Sequence, residues 1–287
     1  MLALILSVLC STLILVIFKL YATYGVQTLY AIIVNYITAC CTGLLFYTGS
    51  VTIGDILEKP WVWGTAALGV FFIVVFNIIA KTSQVAGVSV ASVATKMSLV
   101  IPVIFGVFLY KEVLSTIQVI GILLALAAVY FTSVKESSKQ LSKKVLLLPL
   151  LAFLGSGLID AFIKYFEEIH LTDEELPIFS AVVFGAAAIT GIVFIGVNSF
   201  KKPLKINTRN VLGGITLGIP NYFSIFFLVR PLKNEKFTSA AIFTLSNVSI
   251  VVLSTLVGVW FFKESMSLKN WGGIALAVIS IVLVALF

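Results

Sequence analysis

Ten apolar stretches, each about as long as a bilayer core is thick, follow one another along the chain with little polar sequence between them. They cover approximately residues 2–21, 28–48, 61–81, 86–110, 115–134, 145–165, 178–200, 211–230, 238–262 and 267–286. Their period is helical, and the ten-residue alternation of a membrane barrel is missing. Apolar residues make up 60% of the chain and charged residues 11%, against roughly a quarter in soluble domains. A soluble fold of this length has no way to bury so much apolar surface. The expectation is an all-α integral membrane protein with ten transmembrane helices and the lipid bilayer as its main partner. Disordered tails, nucleic-acid-binding arms and secreted disulfide scaffolds are excluded.

The minor features agree. The net charge of +7 follows from loop lysines near anionic lipid and requires no nucleic acid. Cys10, Cys40 and Cys41 lie in apolar segments and suggest neither a disulfide nor a metal site. The single histidine, His170, falls in the polar segment EEIHLTDEE without an HExxH partner, and Ser156 is not in a G-x-S-x-G elbow. No catalytic residue, metal or cofactor is therefore expected. The first stretch lacks a basic leader and reads as a span rather than a cleaved signal. Pro60 and Pro177 open spans three and seven, where proline loses no helix bond. Trp61, Trp63, Trp260 and Trp271 fall near span ends, as an interfacial aromatic belt requires.

The most polar connection, KESSKQLSKK at 135–144, divides the chain into halves 1–134 and 145–287. A shift of 152 residues lays one half on the other. Lys111-Glu112 then falls on Lys263-Glu264, Gly106 on Gly258, Ser115 on Ser267, Gly121 on Gly273 and Ala125 on Ala277. A weaker match sets Phe18-Lys19-Leu20 against Ile163-Lys164-Tyr165. With five spans in each half, the second half must enter the membrane from the opposite side. The pattern is two inverted five-helix repeats, which in membrane proteins points to transport.

The duplicated pieces GVFLYKEVLSTIQVIGILLA (106–125) and GVWFFKESMSLKNWGGIALA (258–277) resemble the drug/metabolite transporter superfamily, specifically the EamA-like family with its tandem five-helix repeats. The resemblance spans the whole chain. It implies a secondary transporter with a central cavity and alternating access, and it names no substrate. Members often carry a basic residue early in span two, where this chain has Asn35.

Among single residues, Lys96 stands out. It lies about 22 Å along a helix from Lys111 and about 13 Å from Gly87, too deep to snorkel to either surface. An ammonium there requires a wet cavity or a partner, and its own span holds no acid. Relatives that carry phosphorylated sugars use a lysine in this helix, so an anionic substrate group is the expectation. Lys19 and Lys164 match one another near span ends, where facing inward and snorkelling are both open. Asp160, the one acid well inside a span, precedes Lys164 by four residues; it reads as that lysine's neutralising partner, with proton coupling as the alternative. Pro102 and Pro220 are expected to interrupt spans four and eight. Asn35, Asn77, Asn221 and Asn247 are candidates to line the cavity or to hydrogen-bond between helices. The Lys-Glu corners read as complements of adjacent helix dipoles, with a gating ion pair as the alternative.

The resulting expectation is a carrier of a small metabolite or drug with a positively charged cavity, monomeric or weakly homodimeric, in the bacterial inner (plasma) membrane. An exporter of lipophilic drugs or amino acids without anion preference is the alternative, ahead of a channel or an intramembrane enzyme. Lysines and arginine at 135–144 and 201–210 place those connections in the cytoplasm and both termini outside, although members of the resembled family more usually have both inside.

Overall fold

The computed structural model describes residues 2–47, 53–110, 115–133, 143–171, 175–199, 207–232 and 239–286. Among them every regular element is a helix: α1 (Leu2–Thr23), α2 (Thr28–Leu45), α3 (Ile53–Ile56), α4 (Val62–Val85), α5 (Val88–Met97), α6 (Val100–Tyr110), α7 (Thr116–Ser133), α8 (Lys143–His170), α9 (Leu176–Ser199), α10 (Thr208–Leu232), α11 (Ser239–Trp260) and α12 (Leu268–Leu286). Nine spans among the described residues are long and apolar enough to cross a bilayer, α5 and α6 together counting as one, Val88–Leu109. The apolar run of α12, Leu268–Val284, is shorter. The chain is a multi-pass integral membrane protein. Lys111-Glu112 and most of the 135–144 connection lie outside the described residues.

Lipid supplies no hydrophobic drive between helices, so the bundle closes through small residues and buried hydrogen bonds. Close crossings join the two halves, among them α7 on α12, α2 and α1 on α10, and α4 on α9. At Gly69 a side-chain carbon would come within 2.7 Å of the Ala186 and Ala187 backbone. Gly121 faces Val284, and Gly273 faces Thr132. The Ser280 hydroxyl donates to the Gly121 carbonyl at 2.7 Å, and Asn270 Nδ2 donates to the carbonyls of Phe131 and Thr132. Phe18, Tyr36, Phe72, Phe76 and Phe184 form the aromatic middle of the core.

Span four is broken where Pro102 predicts. α5 stops at Met97 and α6 starts at Val100. Pro102 has no N–H for the Ser98 carbonyl one turn back, and the Ile101 N–H takes it instead at 2.8 Å. Pro220 differs from expectation, because α10 runs through it without a break. A single lost bond leaves enough of a 25-residue helix intact, held on both sides by α1 and α2. Trp61 also departs from the expected belt. It is buried at the start of α4 with its ring 5.5 Å from Phe179, while Trp63 and Trp260 are exposed.

Beside Trp61, Lys59 Nζ meets Glu175 Oε1 at 2.7 Å, joining the approaches to α4 and α9. The hydrogen bond to Glu175, then its charge, raises the Lys59 pKa. A raised lysine value means that this contribution is complete below the unfolded value, about 10.4, and fades as pH rises through the higher folded value. The melting temperature of Lys59→Met should therefore lie below the parent's at pH 8 and approach it above pH ~11. A gap that persists at high pH would show that the lysine stem, and not its charge, is responsible.

Candidate substrate cavity

A cavity of about 260 Å³ lies in the middle of the bundle. Ser11, Leu15 and Phe18 of α1, Phe72, Phe76 and Ile79 of α4, Thr95 and Lys96 of α5, Ser156, Asp160 and Ile163 of α8, Phe184 of α9, and Asn221 and Ser224 of α10 contribute to its wall. Both halves of the chain build it. Four phenylalanines contribute apolar surface, and they brace each other: Phe18 meets Phe76 edge-on at 5.8 Å and Phe72 meets Phe184 edge-on at 6.0 Å. The Tyr36 hydroxyl donates to the Phe72 carbonyl at 2.9 Å, which fixes the α2–α4 contact behind that wall.

The polar wall comes from helix geometry. Lys96 stands in the last turn of α5, where the free carbonyls of a helix end favour a cation. Asp160 reaches the same space from α8 and lies within Coulomb range of Lys96. Among the described residues no N–O contact within 4.0 Å joins the two, so they act across a gap. The Ser98 hydroxyl sits 2.6 Å from the Thr95 carbonyl and 3.4 Å from Asp160 Oδ2; the shorter contact takes its proton. The Ser156 hydroxyl, also in the wall, is buried without a hydrogen-bond partner. Asn221 Nδ2 donates to Asn35 Oδ1 at 3.1 Å, and the Asn35 amide nitrogen is left without a partner.

The structure therefore brings together Lys96, Asp160 and Asn221, with Asn35 directly behind. The other expected residues sit elsewhere. Asn77 Nδ2 donates to the Ile73 carbonyl of its own helix at 2.7 Å, and Asn247 on α11 is half-buried away from the cavity wall. Lys164 lies one turn beyond Asp160 and is not in the wall, while Asp160 faces Lys96 there. Lys19 is just past the cavity and bonds the Gln84 carbonyl at 3.2 Å. Among the described wall residues, the charged side chains are thus one lysine and one aspartate.

The Lys263-Glu264 corner acts differently from expectation, and Lys111-Glu112 lies outside the described residues. The N-terminus of α7 is closed by a reciprocal pair, Gln118 N–H to Ser115 Oγ at 3.1 Å and Ser115 N–H to Gln118 Oε1 at 2.9 Å. Ser267 and Asn270 repeat this at α12. Such capping boxes satisfy the helix starts locally. Glu264 is then free to reach α5 in the other half, where its carboxylate accepts from Val88 N–H at 2.7 Å and from the Ser89 hydroxyl at 2.9 Å.

A bundle of membrane-spanning helices around a solute-sized polar and aromatic cavity is the frame of a membrane transporter. The family of the Sugar transport protein has a model that matches residues 1–287, and the chain belongs to that family of membrane transporters. The EamA-like resemblance drawn from the Lys-Glu corners thus holds only for the coarser class. An uncharacterized protein of Haemophilus influenzae is 27% identical over 288 residues, 94% of this chain and 93% of its own. A solved crystal structure, 18% identical, covers 98% of this chain and 96% of its own with a TM-score of 0.59, a likeness of fold.

Proposed function

We propose that this chain is a secondary transporter of a small neutral polyhydroxylated solute, of monosaccharide size, moved by alternating access through the central cavity. One observation carries the reading: the cavity wall holds a donor-only ammonium, an acceptor-only carboxylate and an unpartnered hydroxyl together with four phenylalanine rings. A sugar hydroxyl both donates and accepts, so neighbouring hydroxyls can satisfy Lys96 and Asp160 together. The apolar C–H face of a sugar ring lies well on phenylalanine. The volume of about 260 Å³ falls below the range of roughly 300–1,000 Å³ for drug-sized ligands. Asp160 offsets the Lys96 charge on which an anion preference depends. The family's description as sugar transport proteins supports the same choice.

Ten spans in two inverted repeats belong to this reading. The facing pairs Gly121–Val284 and Gly273–Thr132 support it, because the 152-residue shift turns each pair into the other with its order exchanged. The bacterial inner membrane is the proposed location.

The test is counterflow in proteoliposomes loaded in turn with D-glucose, D-xylose, a hexuronate, a sugar phosphate and ethidium. Saturable exchange of at least one neutral monosaccharide is expected. Exchange confined to the hexuronate or the sugar phosphate restores the anion reading; exchange of ethidium alone restores the lipophilic exporter; unsaturable flux indicates a channel.

A further inference from the structure

The Glu264 carboxylate bonds the two halves of the chain to each other. The path to it is built step by step. After α11 the backbone turns through Lys263, a non-glycine residue at φ 51°, and the Glu264 N–H returns to the Gly258 carbonyl at 3.0 Å. This aims the side chain at α5. There it accepts from Val88 N–H, Ser89 N–H at 3.3 Å and the Ser89 hydroxyl, with Lys19 Nζ at 3.9 Å. A carboxylate at a helix N-terminus with three donors and a cation is well satisfied.

The socket is shaped for it. Gly87 has φ 121°, and a side-chain carbon there would lie 2.7 Å from the carboxyl carbon of Glu264. A side-chain carbon at Gly258 would meet the same carboxylate. The surrounding bonds tie in three more segments of the first half: Lys19 to the Gln84 carbonyl, and Gln84 to the Phe18 carbonyl and the Thr28 hydroxyl. Lys19 directly follows Phe18, a residue of the cavity wall. The cluster therefore covers the end of the cavity at which α1 and α4 finish and α5 begins.

We propose that Glu264 is the latch that holds this end of the cavity shut, and that releasing it from the α5 N-terminus is the opening step on this side. The proposal rests on the alternating-access reading above. A carboxylate held by hydrogen bonds from the other half suits the task, because water can replace those bonds when the halves part, at little net cost.

The test reads access to the cavity without needing the substrate. Cys10, Cys40 and Cys41 are replaced by serine and Ser11→Cys is introduced in the cavity wall. A membrane-impermeant maleimide is then applied to sealed vesicles of each orientation. Both Glu264→Gln and Glu264→Ala should raise labelling from the Lys19 end about tenfold and lower it from the opposite end, as one population drains into the other. Lys19→Met should produce a smaller shift of the same sign. Labelling unchanged at the Lys19 end, or raised equally from both ends by a loosened fold, overturns the latch. If Glu264→Ala does not fold, Ser89→Ala removes one donor and keeps the carboxylate, and the lack of any reciprocal shift there overturns it equally. D-Glucose and D-xylose counterflow are measured beside the labelling. Intact exchange with no labelling shift removes the latch and leaves the carrier; labelling from one face only in every protein, with no exchange, removes the carrier as well.

Discussion

Lys96→Met is expected to lower counterflow by about a hundredfold, the worth of a charge-assisted hydrogen bond or two to the solute. Its stability should fall too, because Asp160 is left in the bundle without its counter-charge. Asp160→Asn should do the same to Lys96. Asp160 is exposed to the cavity and Lys96 is half-buried, so the loss should be well below the ~3–5 kcal/mol of a fully buried pair. The double variant Lys96→Met with Asp160→Asn should regain most of the melting temperature and none of the transport. That combination separates a pair kept for the solute from a pair kept for the fold. Lys96→Arg should recover only part of the rate, since a planar fork does not occupy the place of a compact ammonium. Parent-like transport by the double variant would remove both residues from the site.

Gly69→Val is expected to leave almost no folded protein. The first added carbon lands 2.7 Å from the Ala186 carbonyl carbon and from the Ala187 nitrogen, and 2.9 Å from the Ala186 oxygen. These are backbone atoms in the middle of α9, so no rotamer change relieves the clash and the α4–α9 crossing must open. Overpacking by even one group costs about 1–3 kcal/mol where side chains can yield. Gly69→Ala should therefore already lower the melting temperature, with valine worse. Gly272→Ala is the control, since nothing lies within 4 Å of the added carbon. A Gly69→Val protein that stays monodisperse and melts with the parent would show that the two helices sit farther apart.

The spans were readable in the sequence because twenty apolar residues in a row have few other fates, and Pro102 marked the break in span four for a similarly local reason. The partners were not. Asp160 and Lys164 stand one turn apart, and nearness along the chain suggested that they pair. What the chain order does not show is that α8 packs against α5 and brings Asp160 to the same cavity as Lys96. Glu264 was read as serving the helix it precedes. The reciprocal Ser267–Asn270 cap at that position was present in the sequence as a spacing, and would have shown that α12 had no need of it. Asn35 and Asn221 stand on helices 186 residues apart, and only the α2–α10 crossing brings their amides together.

The short helix α5 has ten residues, about 15 Å from end to end. Glu264 grips its first amide groups, and Lys96 stands in its final turn. Beyond Lys96 the helix is severed from α6 at Ser98–Leu99, so it is a separate rod with a joint at one end. A rod this short is stiff. Tilting it at Val88 must swing the ammonium at the far end through a comparable arc, as a lever carries motion from handle to tip. The lysine that lines the cavity and the amide groups that the opposite half grips are thus two points on one rigid body.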